Sequence, residues 1–224
     1  MLLLQFSTSH YCRKARLALG YKQIAYRVEN LTPGAHILKL KPLTGLTTVP
    51  VLMPEVPGFP EAIADSTRIF EFLETYQTQP PLFLADDRAN TAAKVLEDWL
   101  DESIGTATRF VYYDYRSKAG KAIDPSLFSQ LLIRVVKQQY NINDATVELA
   151  RDRLKIALTE LCDRWQDTPF LVGDRLSIAD LSAAALLSPL ALIPDYRNTY
   201  SLLFDRIAQV HDRCGEPQPP GLGD

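Results

Sequence analysis

The 224-residue chain is poor in several features that would assign it quickly, and each shortage excludes something. No apolar run approaches the ~20 residues that a bilayer-spanning helix needs. The opening Met1-Leu2-Leu3-Leu4 has no basic flank and is too short for a secretion-signal core, so a cytoplasmic location is expected. Charge of one sign is not in excess: 24 Lys and Arg face 27 Asp and Glu, for a net charge of -3, which gives no electrostatic footprint for nucleic acid or an anionic membrane. The basic residues are scattered among acidic ones, which predicts solvated helix faces. Cysteine and histidine are scarce. Cys12, Cys162 and Cys214 are odd in number and far apart, and His10, His36 and His211 are equally dispersed, so neither a disulfide framework nor a metal site is expected.

What is present is an ordinary globular composition, 46% hydrophobic and 23% charged, sufficient for one large domain or two modest ones. Leu2 to Phe6 reads as a buried strand and Ser9 to Leu19 as a helix ended by Gly20. Ile24 to Val28 alternates like a second strand. Asn30 to Leu46, with Pro33-Gly34 and Pro42, reads as turns around one short helix. Val49 to Met53 is a third strand, Glu61 to Ile63 a fourth, and Asp65 opens a helix reaching Tyr76. This strand–helix alternation over residues 1–77 predicts a mixed sheet with helices packed on it. The proline-bearing, acidic stretch 78–87 reads as a linker. From Arg88 onward only helical periodicity remains, over Thr91–Tyr115, Pro125–Tyr140, Ala145–Trp165, Ser177–Ser188 and Tyr200–His211, so residues 88–224 are expected to be all-helical. The tail Glu216–Asp224 is expected to be mobile.

Three features of the first part carry chemistry. Ser9 is a good N-cap at a helix entrance, where unpaired N–H groups and the helix dipole favour an anion such as a thiolate. Pro50, at the mouth of a strand, suits a cis bond in a tight turn and would turn the Val49 main chain outward to pair with a peptide-like ligand as an added strand. Asp65-Ser66, both N-cap types, would grip the ammonium and carboxylate of an amino acid.

With these residues in order, the chain resembles the soluble glutathione transferases along nearly its whole length. Ser9 through Leu19 is similar to the serine-type opening of bacterial or cyanobacterial members, Val49-Pro50-Val51-Leu52 to the family's cis-proline segment, and Asp65-Ser66 to its usual Glu-Ser. Phe170 through Asp180 is similar to its buried N-cap segment, in which Ser177 caps a helix and Asp180 returns the bond.

The resemblance implies an α/β thioredoxin-like N-terminal domain, a helical C-terminal domain, a homodimer, and conjugation of the glutathione thiolate to small electrophiles of xenobiotic or stress origin. Ser9 would be the thiolate donor, with the Tyr11 hydroxyl or backbone N–H groups as the alternatives, Val49, Pro50, Asp65 and Ser66 holding glutathione, and no metal involved. The acceptor pocket would form between the domains, with Tyr11, Phe110, Tyr112 and Tyr113 as its candidates and Arg109 and Tyr115 beside them.

The departures from the family pattern set further expectations. His10 replaces the usual proline and is expected on the surface, where its protonation near neutral pH would add positive charge. Cys12 stands where thiol oxidoreductases of this fold carry a second cysteine; with serine at position 9 it is expected to pack rather than react. His36 is read as a loop histidine, with the glycyl carboxylate of glutathione as its alternative partner. The competing functions are a glutathione-dependent reductase or isomerase using Cys12, and a non-catalytic interaction module.

Overall fold

The computed structural model describes residues 1–223. Its first part is a four-stranded sheet in the order β2-β1-β3-β4, formed by β1 (Leu2–Gln5), β2 (Arg27–Asn30), β3 (Val51–Met53) and β4 (Ile63–Ala64). β1 runs parallel to β2 and antiparallel to β3, with Leu3 opposite Leu52 and Leu4 opposite Val51. The period of two then explains why β1 is apolar at successive positions from Leu2 to Leu4. Leu3 and Leu52 point into the main core with Ala15, Leu19, Ile69 and Phe70, whereas Leu4 and Val51 meet Leu40 on the opposite face. Three helices cover the sheet: α1 (His10–Tyr21), α2 (His36–Thr44) and α3 (Ser66–Tyr76). This small mixed sheet with its helices is the thioredoxin-like architecture expected.

The rest of the chain is helical: α4 (Asp87–Trp99), α5 (Gly105–Ser117), α6 (Leu127–Gln139), α7 (Asp144–Asp167), α8 (Ile178–Leu187), α9 (Pro194–Thr199) and α10 (Ser201–Cys214). Helix α8 is buried on every side and forms the centre of this half. No helix among the described residues is long and apolar enough to cross a membrane.

Several expectations need correction. Helix α1 does not end at Gly20; it continues to Tyr21 with Lys22 as its cap. Gly20 serves a close approach instead, since a Cβ there would lie 2.0 Å from the Cys214 carbonyl oxygen at the end of α10. The second strand begins at Arg27 rather than Ile24, because the Ile24 N–H is still bonded to the Leu19 carbonyl of the helix before it. The expected helix over 91–115 is two helices joined by a π-helical turn at Leu100–Ile104, and α9 carried too short a pattern to be seen.

The stretch 78–87 is docked. Leu82 and Leu84 are buried, the Ile178 N–H donates to the Leu82 carbonyl, and the buried Lys22 ammonium donates to the Gln77 and Pro80 carbonyls. The tail is likewise held. Glu216 accepts from Arg16 at 2.6 Å, Gln218 donates to the Ala208 carbonyl at 3.0 Å, and the Gly221 carbonyl accepts from Arg197 at 2.9 Å. Asp224, its last residue, lies outside the described residues. Nor are the basic residues of α1 solvated, for Arg13, Lys14 and Arg16 are all buried.

Candidate functional site

The sheet register brings the three singled-out segments to one edge. Leu4 pairs with Val51 and Val51 with Ala64. The chain leaving β1 toward Ser9, the Val49-Pro50 entry to β3 and the Asp65 exit from β4 therefore lie side by side at the same end of the sheet.

Each segment is held in a defined shape. Ser9 is the N-cap of α1, with extended backbone and its Oγ accepting from the Cys12 N–H at 3.3 Å. That bond uses one lone pair and leaves the hydroxyl hydrogen available to donate, with the buried Cys12 thiol as its neighbour inside the protein. The Val49-Pro50 bond is cis, and among the described residues no hydrogen bond engages the Val49 main chain. Asp65 caps α3, its Oδ1 accepting from the Thr67 and Arg68 N–H groups at 2.9 and 3.2 Å. It does so at φ +81°, in the region that side chains avoid; such strain gathers where ligands are held. Ser66 follows at the first helical position and is buried.

His36 sits at the same edge, at the start of α2 and in edge contact with Phe6. Its Nδ1 accepts from the Gly34 N–H at 3.0 Å, and its Nε2 lies 3.0 Å from the Thr47 carbonyl, so the Nε2–H tautomer completes both bonds. Both ring nitrogens are committed within the protein.

The acceptor candidates separate. The Tyr11 hydroxyl donates to the Asp101 carbonyl at 2.7 Å and packs so close to Gly105 that a Cβ there would meet it at 2.8 Å. Burial pushes the Tyr11 hydroxyl up to about 12. Tyr112 and Tyr113 meet edge to face; the Tyr112 hydroxyl accepts from Arg116 at 2.9 Å, and burial pushes the Tyr113 hydroxyl to about 12. Phe110 turns away from this cluster into a groove between α5 and α7 lined by Thr106, Leu149 and Arg153.

His10 is not on the surface. It is buried against Tyr11 with its Nε2 unpartnered, and burial, reinforced by Arg109 and Arg13, lowers its pKa to about 3. It therefore adds no positive charge near neutral pH. Cys12 is fully buried, and burial pushes its thiol up.

A cluster behind the site escaped the sequence reading. The Lys14 ammonium, wholly buried, binds Glu97, Asp101 at 2.8 Å and Thr67 at 3.2 Å, and lies 5.0 Å from the centre of the Phe70 ring. Burial, only partly offset by Lys14, raises the Asp101 carboxyl to about 6. The available signal was that α1 carries apolar and basic residues on every face, and a helix apolar all round is a buried one. Tyr140, which covers Arg109, carried no signal of that kind. No group of His, Cys, Asp and Glu side chains able to hold a metal occurs among the described residues.

Residues 3–81 match the family described as glutathione S-transferase, N-terminal domain. That match covers β1 through Pro81 and so contains Ser9, Val49-Pro50 and Asp65-Ser66. No curated protein matches the chain.

Solved structures align over nearly all of it at low identity, which establishes the fold alone. A glutathione S-transferase from Rhodospirillum rubrum F11 is 20% identical with TM-score 0.73, covering 99% of this chain and 89% of its own. One from Methylobacterium radiotolerans, solved in complex with glutathione sulfonate, is 22% identical with TM-score 0.71, covering 100% and 92%. FzlA from C. crescentus is 22% identical with TM-score 0.75, covering 95% and 88%.

Proposed function

We propose that this protein is a cytoplasmic glutathione transferase that conjugates the glutathione thiolate to small electrophiles of xenobiotic or stress origin. Residues 1–77 would bind glutathione, 78–87 would link, and 88–224 would supply the acceptor side; the active form would be a homodimer. The observation that carries the reading is the meeting of three segments at one sheet edge, within the part of the chain that matches the transferase N-terminal family: the Ser9 helix entrance, the Val49 main chain without a partner, and the strained Asp65 cap.

Glutathione would lie extended along Val49, its γ-glutamyl end at Asp65 and Ser66 and its sulfur at the first turn of α1. A thiol of ordinary pKa, about 8.5, is only ~3% thiolate at pH 7. Lowering that pKa by ~2 units requires ~2.7 kcal/mol of preference for the charged form. The Ser9 hydroxyl hydrogen and the N–H groups of the helix entrance are the donors placed to supply it. The thiolate then attacks an electrophilic carbon and forms the C–S bond. The thiol proton has already gone to solvent, and the leaving group departs with its electron pair. Proximity supplies much of the remaining acceleration.

Two facts favour this over a reductase or isomerase: position 9 is serine, and Cys12, the alternative nucleophile, is sealed in the core. The test is ultraviolet thiolate absorbance of the glutathione complex against pH, for wild type and Ser9→Ala. The expected result is a bound-thiol pKa well below that of free glutathione, rising in Ser9→Ala. A low pKa unchanged in the variant would move the role to backbone N–H groups. Absence of glutathione binding would overturn the reading in favour of an interaction module.

A further inference from the structure

We propose that Arg109 is the recognition group for the acceptor, and that the acceptor is a small aromatic electrophile bearing a carboxylate. This names the substrate class of the site above and rests on that reading.

Arg109 lies on α5, one helical turn beyond the Gly105 contact with Tyr11, and so beside the first turn of the helix that Ser9 caps. Its guanidinium is half-buried. The carbon at its centre is 5.3 Å from the centre of the Tyr11 ring and 4.6 Å from that of Tyr140. Both are cation–π distances, which engage the π-face of a ring and leave the in-plane N–H groups uncommitted. Among the described residues those N–H groups have no hydrogen-bond partner, and no carboxylate pairs with Arg109.

Arg116, two turns along the same helix, donates from its two Nη groups to Tyr112 and Ser129, while its Nε has no partner. Of the nearby carboxylates, Asp101 binds Lys14 and Asp114 faces Lys118, Lys137 and Arg151, while the exposed Glu102, which also acts on Tyr11, makes no ion pair with Arg109. Arg109 is thus a partly desolvated fork of donors set against two aromatic rings, with no hydrogen-bond or ion-pair partner among the described residues.

A partly buried cation without an anion is costly, and one retained beside a reaction site is suited to an anion that arrives. With rings against the guanidinium, approach along its edge remains, and that edge matches a planar two-oxygen group. The edge-to-face pair Tyr112 and Tyr113 on the next turn offers flat apolar surface for a ring attached to that carboxylate.

The test uses a matched pair of acceptors, 4-chloro-3-nitrobenzoate and the uncharged 4-chloro-3-nitrobenzamide. In both, the glutathione sulfur bonds to the carbon bearing chlorine, the C–Cl bond breaks, chloride leaves with the bonding pair, and the thiol proton goes to solvent. The full-length protein should prefer the acid in kcat/KM by ~10-fold or more, chiefly through KM. The preference should collapse toward unity in Arg109→Gln, survive in part in Arg109→Lys, and persist in Arg134→Gln, an exposed arginine of α6. Equal use of the two acceptors by wild type, or a preference untouched by Arg109→Gln, would overturn the proposal.

Fluorescence titration with the unreactive pair 4-nitrobenzoate and 4-nitrobenzamide keeps the question separate from catalysis. Acid-selective binding that is lost in Arg109→Gln would support the anion site even in a protein that does not bind glutathione. Without acid-selective binding the anion site fails, whatever the outcome of the thiolate test.

Discussion

Replacing Asp180 with alanine removes the acceptor for four donors at once. The carboxylate is 1% exposed. Its Oδ1 accepts from the Leu171 N–H at 2.8 Å and the Trp165 indole N–H at 3.3 Å, and its Oδ2 from the Ser177 N–H at 3.0 Å and hydroxyl at 3.1 Å. Each buried donor left unpaired costs ~1–3 kcal/mol, more beside a charge. The Ser177 hydroxyl can re-aim and a water can enter the space, so the loss for Asp180→Ala falls near ~4 kcal/mol rather than at the additive limit. Asparagine separates shape from charge. It preserves the Oδ1 side, but sets an NH2 against the Ser177 N–H, and should cost ~2 kcal/mol.

Urea denaturation of the three proteins, followed by the fluorescence of Trp99 and the buried Trp165, reads both numbers. The same samples are assayed for glutathione binding at a temperature where all remain folded. Stability should fall by these amounts, a large share of the ~5–15 kcal/mol typical of a folded protein, while binding is retained. A loss below ~1 kcal/mol in Asp180→Ala would refute the argument that these bonds tie α8 to the segment before it, as would loss of binding without loss of stability.

Two further predictions concern buried charges. Lys14→Met leaves Glu97 and Asp101 without their cation and should cost ~3–5 kcal/mol, most of it recovered when Glu97 is replaced by leucine in the same chain; urea midpoints that fail to move would contradict this. Acidification from about pH 7 to about pH 5 should remove ~2–3 kcal/mol of stability. Burial holds His10 near 3 and His211 near 4, so the folded state refuses protons that the unfolded chain takes below its ordinary 6.5, and each costs ~2 kcal/mol at pH 5. Asp101, raised to about 6, takes up its proton early in the folded state and returns ~1 kcal/mol. The loss should shrink by ~2 kcal/mol in His10→Gln, and an unchanged pH dependence there would show that His10 ionises freely in the fold.

What the sequence made legible was local chemistry. Ser9, Asp65 and Ser177 precede helical patterns, and all three are N-caps in the structure, because capping is decided within four residues. The Leu2–Leu4 run, apolar at successive positions, describes a strand covered on both faces, which is how Leu3 and Leu4 are used. What stayed hidden depends on partners far along the chain. Gly20 looks like a helix stop until the Cys214 carbonyl lies against it. His10 resembles a surface substitution until Tyr11 and α5 cover it. The tail is rich in proline and glycine, as mobile segments are, yet Arg16 and Arg197 hold it from 200 and 24 residues away.

The basic residues of α1 join these findings. A buried helix is ordinarily an apolar one, and this helix instead buries Arg13, Lys14 and Arg16. Each finds its partner on a different element: Arg13 on Ser188 beyond α8, Lys14 on Glu97 and Asp101 at the end of α4, and Arg16 on Gln5 of β1 and Glu216 of the tail. Greasy side chains at these positions would pack with less desolvation cost, but their contacts tolerate sliding and rotation. Directed bonds to four surrounding parts of the chain do not. They fix the rotation and axial position of α1, and with them the point in space where Ser9 begins it. The thiolate proposed at this entrance would demand that kind of placement, because a hydroxyl and helix N–H donors lose their effect when they are misplaced by an ångström.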